Sequence, residues 1–146
     1  MDLNRFFPYR VAVLAEAVSR SVSQVYAERF DLSRDEWRVL AALAQVGRMK
    51  MVRLVEHTTL DKMQVSRAVA RLEASDLLAR ETDPEDRRGW LLLLTAAGRA
   101  LHRKIVPMVE AREAFLLESL EPHERVALDA ALDKVLVRAR QLARQG

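Results

Sequence analysis

The sequence predicts a mainly α-helical chain carrying one small β-hairpin, on three observations. Apolar residues recur at steps of three and four along most of the 146 residues, the period of helices that bury one face. The period breaks once, over residues 77–94, where two short apolar runs flank a polar seven-residue insert holding Pro84 and Gly89, a pattern that signals a hairpin with a long tip. Helix-start residues stand ahead of three of the periodic stretches, at Ser33, Asp61 and Thr95.

Each element can be placed in turn. Phe7, Val11, Leu14, Val18, Val22 and Val25 form one stripe on a first helix over residues 6–29. Ser33 and Glu36 make a capping box that opens a second helix, whose expected inner face is Trp37, Leu40, Ala41, Leu43 and Ala44 and which Gly47 ends. A short third helix over residues 51–57 carries Val52, Leu54 and Val55, and starts after Lys50, a residue with no capping oxygen. After a turn at residues 57–60, Asp61 and Gln64 form a second capping box, and a fourth helix runs to about residue 75, burying Val65, Ala68, Val69 and Leu72. A short helix, a tight turn and a longer helix make a helix-turn-helix. Strands are expected at residues 77–82 and 90–94, followed by helices at 96–119 and 122–144. Pro107 falls inside the fifth helix and is expected to bend it without splitting it, because Met108, Val109, Phe115 and Leu116 continue the pattern. Pro122 suits the first turn of the sixth helix, where Leu128, Leu132, Val135, Ala139 and Leu142 form a coiled-coil-like seam.

The chain is thus read as a single domain over residues 1–146: a winged helix-turn-helix at 30–95, flanked by dimerisation helices at 1–29 and 96–146. The flanking stripes are too long for the small region between them to cover, and a two-fold copy of the chain is the economical cover. Half of the residues are hydrophobic and 31% charged, a globular balance. There is no apolar run of about 18 residues to span a membrane and no apolar signal core after Met1, so a cytoplasmic protein is expected. With no cysteine, disulfides and thiol chemistry are excluded.

Of 24 basic residues, 20 are Arg, and the net charge is +3. The predicted fourth helix separates an inward apolar set from Lys62, Gln64, Ser66, Arg67 and Arg71, which point outward or sit on its flank. A helix fits the major groove of B-form DNA. There Gln64 suits adenine, Arg67 guanine or phosphate, Ser66 either, and Lys62 and Arg71 phosphates. Asp86, Arg87 and Arg88 occupy the hairpin tip, where a wing reaches a minor groove that attracts Arg; Asp86 is expected to hold one guanidinium in a bidentate pair. Residues 47–95 carry nine basic and eight acidic side chains, so affinity has to come from arrangement and not from bulk charge.

With these motifs in place, the chain resembles the MarR family of winged-helix regulators over residues 6–144. The resemblance rests on Ser33-Arg34-Asp35-Glu36-Trp37-Arg38-Val39-Leu40, on the helix around Val65-Ser66-Arg67, and on Asp83-Pro84-Glu85-Asp86-Arg87-Arg88 leading into Leu94-Thr95. It implies a homodimer with two recognition helices in successive major grooves of a pseudo-palindromic operator. It also implies repression relieved by a small aromatic or phenolic ligand between the dimer region and the winged domain. Tyr9, Arg10, Trp37 and Arg38 lie on the two helices that border that pocket in relatives, with Arg10 and Arg38 able to receive a carboxylate. Trp90 and Leu93 depart from the family pattern and suggest that the wing base packs on something, and the family's thiol-oxidation switch is unavailable. His57, His102 and His123 have no zinc-site spacing, no catalytic constellation is present, and no metal, cofactor or enzyme activity is expected. The rival reading is a winged-helix protein-interaction module without operator binding.

Overall fold

A computed structural model describes residues 1–145. After a 3-10 turn at Leu3–Arg5, the elements run α1 (Phe7–Phe30), α2 (Arg34–Val46), β1 (Arg48–Lys50), α3 (Met51–His57), α4 (Lys62–Ala74), β2 (Leu78–Thr82), β3 (Trp90–Leu94), α5 (Ala96–Leu117) and α6 (Pro122–Gln145). The chain divides into two compact units, Met1–Glu110 and Ala111 onward.

The core of the first unit is one cluster, including Tyr26 of α1, Val39, Leu40 and Leu43 of α2, Leu54 of α3, Leu92 and Leu94 of β3 and Ile105 of α5. Helix α4 adds Val65, Ala68, Val69 and Leu72, the four positions its period predicts. Both capping boxes form: the Ser33 hydroxyl accepts from Glu36 N–H at 3.1 Å, and Asp61 accepts from Gln64 N–H at 2.8 Å. The buried face of α2 is centred on Glu36, Val39, Leu40 and Leu43, with Trp37, Ala41 and Ala44 on its half-buried margin. Gly47 closes α2 at φ +99°, a backbone that side chains resist. Helix α3 starts at Lys50 with no side-chain cap. The predicted stripe of α1 divides: Val18, Val22 and Val25 are half-buried, while Phe7, Val11 and Leu14 are exposed. Helix α5 runs through Pro107 without interruption.

The expected two-stranded hairpin is part of a three-stranded antiparallel sheet of order β1-β3-β2. The added strand escapes sequence reading because three residues are too few for a period of two to register. Met49, buried between exposed Arg48 and Lys50, pairs with Leu92, which pairs with Arg80 on its other side. His102 is half-buried: Trp37 stacks on it at 5.6 Å and on Tyr26 at 5.3 Å. Burial holds its imidazole below the ordinary His range.

In the second unit, α6 starts at Pro122, and Glu124 accepts from Glu121 N–H at 2.9 Å. No described residue of α6 is buried, and Leu128, Leu132, Val135 and Leu142 of the predicted seam are 37–70% exposed. Among the described residues, no helix is long and apolar enough to cross a membrane.

Thr95 joins the wing to α5: its hydroxyl donates to Asp76 O at 2.7 Å and accepts from Gly98 N–H at 3.0 Å. Helix α5 comes so close to the start of β2 that a Cβ on Gly98 would lie 2.1 Å from the Leu77 carbonyl oxygen. Gly98→Ala is expected to lower stability by about 1–3 kcal/mol, read as a fall in Tm by circular dichroism.

Candidate nucleic-acid interface

The orientation of α4 follows from what it buries. Val65, Ala68, Val69 and Leu72 are 0–4% exposed, which fixes the opposite pole. At about 100° per residue, Met63, Arg67 and Ala70 fall within about 60° of one another there. Lys62 and Ser66, on one flank, are exposed with Arg67.

Gln64 and Arg71 lie on the other flank, toward α2; Gln64 is half-buried, while Arg71 is exposed over 65% of its side chain. Gln64 Oε1 accepts from Asp61 N–H at 2.9 Å, and its side chain lines a cavity with Arg38 and Thr59. Arg71 stands 3.6 Å from the buried Glu36 carboxylate and 3.9 Å from Asp31. Its guanidinium adds to the hydrogen bonds that the buried Glu36 carboxylate accepts from the Ser33 hydroxyl and backbone N–H.

The wing is organised by Asp83, which is only 3% exposed. Its carboxylate accepts from Glu85 N–H at 3.0 Å and lies 3.2 Å from Lys50 Nζ. The Glu85 hydrogen bond and then Lys50 hold this carboxyl below the usual carboxylate range, against the opposing effect of burial. The expected Asp86–guanidinium pair does not form. Asp86 Oδ1 instead accepts from the backbone N–H of Arg88 at 3.0 Å, and Gly89 N–H closes the turn on Asp86 O at 3.0 Å. An aspartate two residues ahead of an N–H is better placed for this local bond than for a long flexible guanidinium. Asp86 therefore shapes the loop, while the Arg87 and Arg88 side chains extend from it, exposed. Trp90, expected to pack, is 51% exposed over a cleft shared with Met51, Val52 and Arg80.

Ion pairing then sorts the nine cations of residues 47–95. Arg48 pairs with Glu81, Lys50 with Asp83, Arg53 with Glu56, Arg71 with Glu36 and Asp31, and Arg80 with Glu73. Among the described residues, the four without an ion pair are Lys62, Arg67, Arg87 and Arg88. They lie on α4 and the wing tip, where the exposed Asp61, Glu85 and Asp86 likewise stand outside the ion pairs of the described residues, so the two projecting elements present individual unpaired cationic groups and not a large net positive field.

The four residues expected at a ligand pocket do not meet in one cavity. Trp37 and Arg38 line a cavity of about 360 Å³ with Ala41, Gln45, His57 and Thr59. Tyr9 and Arg10 line another of about 350 Å³ with Asn4, Val13 and Leu14. Tyr9 precedes Glu16, the α1 residue that binds Arg34 of α2 at 3.2 Å, by two helical turns, or about 10 Å of axis. That separation keeps the two pairs apart. Arg38 Nη1 donates to Thr59 Oγ1 at 2.6 Å, linking α2 to the turn between α3 and α4.

Sequence reading missed Asp83, Glu36 as the partner of Arg71, Thr59 and Met63. An aspartate opening a turn opposite an uncapped lysine was a usable signal for the first. The others depend on contacts between elements that no local pattern records.

A family model described as the MarR family matches residues 30–89. The HTH-type transcriptional repressor NicR of Pseudomonas putida is 30% identical over 105 residues, covering 72% of this chain and 66%, just under two thirds, of that protein. Among solved structures, the Bordetella bronchiseptica BpsR, whose DNA binding is regulated by 6-hydroxynicotinic acid, superposes with a TM-score of 0.84 at 30% identity, covering 92% of this chain and 96% of that one. A MarR/EmrR family transcriptional regulator from Acinetobacter sp. ADP1 gives 0.87 at 26% identity, covering 97% and 99%.

Asp83→Ala is expected to loosen the wing without unfolding the domain. Limited trypsin digestion should cut after Arg87 and Arg88 several-fold faster, with helical circular dichroism unchanged. In the unsubstituted protein the Asp83 contribution is present at neutral pH and is lost only as pH falls through its lowered pKa, below the ordinary value of 3.8.

Proposed function

The chain belongs to the MarR family, and on that premise we propose that it is a sequence-specific double-stranded DNA-binding repressor. It acts as a homodimer on a pseudo-palindromic operator and is released by a small aromatic or phenolic ligand. The observation that carries this reading is the placing of charge: within residues 47–95, the cations without an ion pair among the described residues are Lys62 and Arg67 of α4 and Arg87 and Arg88 of the wing tip. Helix α4 enters the major groove with Arg67 and Ser66 toward base edges and Lys62 toward phosphate. The wing carries Arg88 into the adjacent minor groove, with Arg87 on the backbone. Gln64 keeps only its amide NH₂ for the operator, because its oxygen serves the cap, and Arg71, 65% exposed beside Glu36, adds a phosphate contact on the flank of α4. Dimerisation through the outer helices is supported by the exposed apolar residues of α1 and α6, among them Phe7, Leu14, Leu132 and Leu142.

For the effector, the reading favours the cavity of Trp37 and Arg38, with a ring against the indole and a carboxylate on the guanidinium. A hydroxylated aromatic acid, the class of the molecule that regulates BpsR, suits those groups. A ligand carboxylate competes with Thr59 for Arg38, and losing that bond releases the turn ahead of α4. Such a ligand shifts DNA affinity only to the extent that it binds the displaced state better.

The half-exposed Trp90 favours the rival reading of a protein-interaction module, and selection of bound sequences from a random DNA pool separates the two. An enriched palindromic motif is expected; no enrichment overturns operator binding. On that motif Arg88→Ala should cost about 1–3 kcal/mol in a mobility-shift titration, with the dimer intact by sedimentation. Lys62→Ala should weaken all sequences alike and reduce the salt slope by about one. Arg38→Ala, which also lacks the bond to Thr59, should weaken operator binding in the absence of ligand and abolish any further response to aromatic acids.

A further inference from the structure

Met63 is the one large apolar side chain on the outer surface of α4 among the described residues. It is 67% exposed, and its neighbours at that pole are Arg67 and the small Ala70. It belongs to the first turn of α4, directly after Lys62. Residues near the N-terminus of a recognition helix are those that reach base edges. Every other side chain of this surface that is long enough to reach a base carries a charge or a hydrogen-bonding group, so Met63 needs a different feature of the groove. The major groove offers one apolar feature that depends on sequence, the 5-methyl group of thymine. An unbranched thioether can adjust its torsions to cover it.

We propose that Met63 is a specificity-determining residue that packs on the 5-methyl group of one thymine in each half-site. The inference rests on the operator-binding reading and deepens it: hydrogen-bonding groups of α4 read polar edges, while Met63 separates thymine from cytosine and from uracil, which lack that methyl group. At 67% exposed in the free protein, Met63 contributes little buried area to the folded domain. Substitution therefore tests recognition and not folding.

The test uses the full-length protein and an operator taken from random-pool selection. Each thymine in turn is replaced by deoxyuridine, which removes the methyl group and leaves every hydrogen-bonding atom in place. Fluorescence-anisotropy titration of the unsubstituted protein should show one symmetric pair of positions at which binding weakens about fourfold per methyl group, the value of burying one such group. Met63→Ala should bind the unmodified operator more weakly by a similar factor and be indifferent to deoxyuridine at that pair. Met63→Leu should retain most of the sensitivity. Equal responses to deoxyuridine in the unsubstituted protein and in Met63→Ala, or no methyl-sensitive position at all, overturn the assignment while leaving operator binding standing. Failure to enrich any motif overturns the operator-binding reading itself, and this inference with it.

Discussion

The packing of α4 against α2 is the contact on which the other features of the domain depend. Val65, Ala68, Val69 and Leu72 on one helix and Val39, Leu40 and Leu43 on the other are almost wholly buried. A close-packed interior admits few rotational settings of a helix. Turning α4 by a single residue's worth of rotation would bury a polar or charged side chain and expose a Val or Leu. The outward pole with Met63 and Arg67 is therefore a consequence of the core. The surface residues of α4 are free to vary chemically because they do not set their own orientation.

Electrostatic pairing completes what packing begins. Acidic side chains are almost as numerous as basic ones across residues 47–95, and a uniform mixture would present DNA with little net field. Apart from Arg53 with Glu56 inside α3, the pairs lie along the sheet and at the joints between elements, as with Lys50 and Asp83 at the wing base, Arg80 and Glu73 between β2 and α4, and Arg71 and Glu36 between α4 and α2. Of these, Arg80–Glu73 is partly exposed and adds little stability by itself, while the other two each set a solvent-facing cation on a buried carboxylate. Within residues 47–95 the ion pairs leave Lys62, Arg67, Arg87 and Arg88 as the described cations without one.

Helix α2 connects the regions that a regulator has to couple. Glu36 caps its own helix and reaches Arg71 of α4. Trp37, one residue on, stacks between Tyr26 and His102, and Arg38 holds Thr59 in the helix-turn-helix turn. Three consecutive side chains thus contact α4, the α1–α5 side and the turn. In the proposed reading, a ligand that engages Trp37 and Arg38 acts on the element that also positions α4, with no long chain of intermediaries.

Local signals carried most of the architecture. Two capping boxes, the steps of three and four, Gly47, Pro122 and the polar insert at residues 83–89 are each written within a few neighbouring residues, so the helices, the wing and the buried face of α4 were legible in the sequence. So was the identity of the wing-tip cations. What the tertiary structure alone decided were relations between elements distant in the chain. These include the strand at Arg48–Lys50, which exists only because β3 pairs with it, the pairing of Arg71 with Glu36, the anchoring of the wing by Asp83 and Lys50, and the separation of Tyr9 and Arg10 from Trp37 and Arg38. Periodicity states which face of a segment is apolar. It does not state which cation will find a carboxylate, since ion pairing depends on distances that arise only once the core has closed.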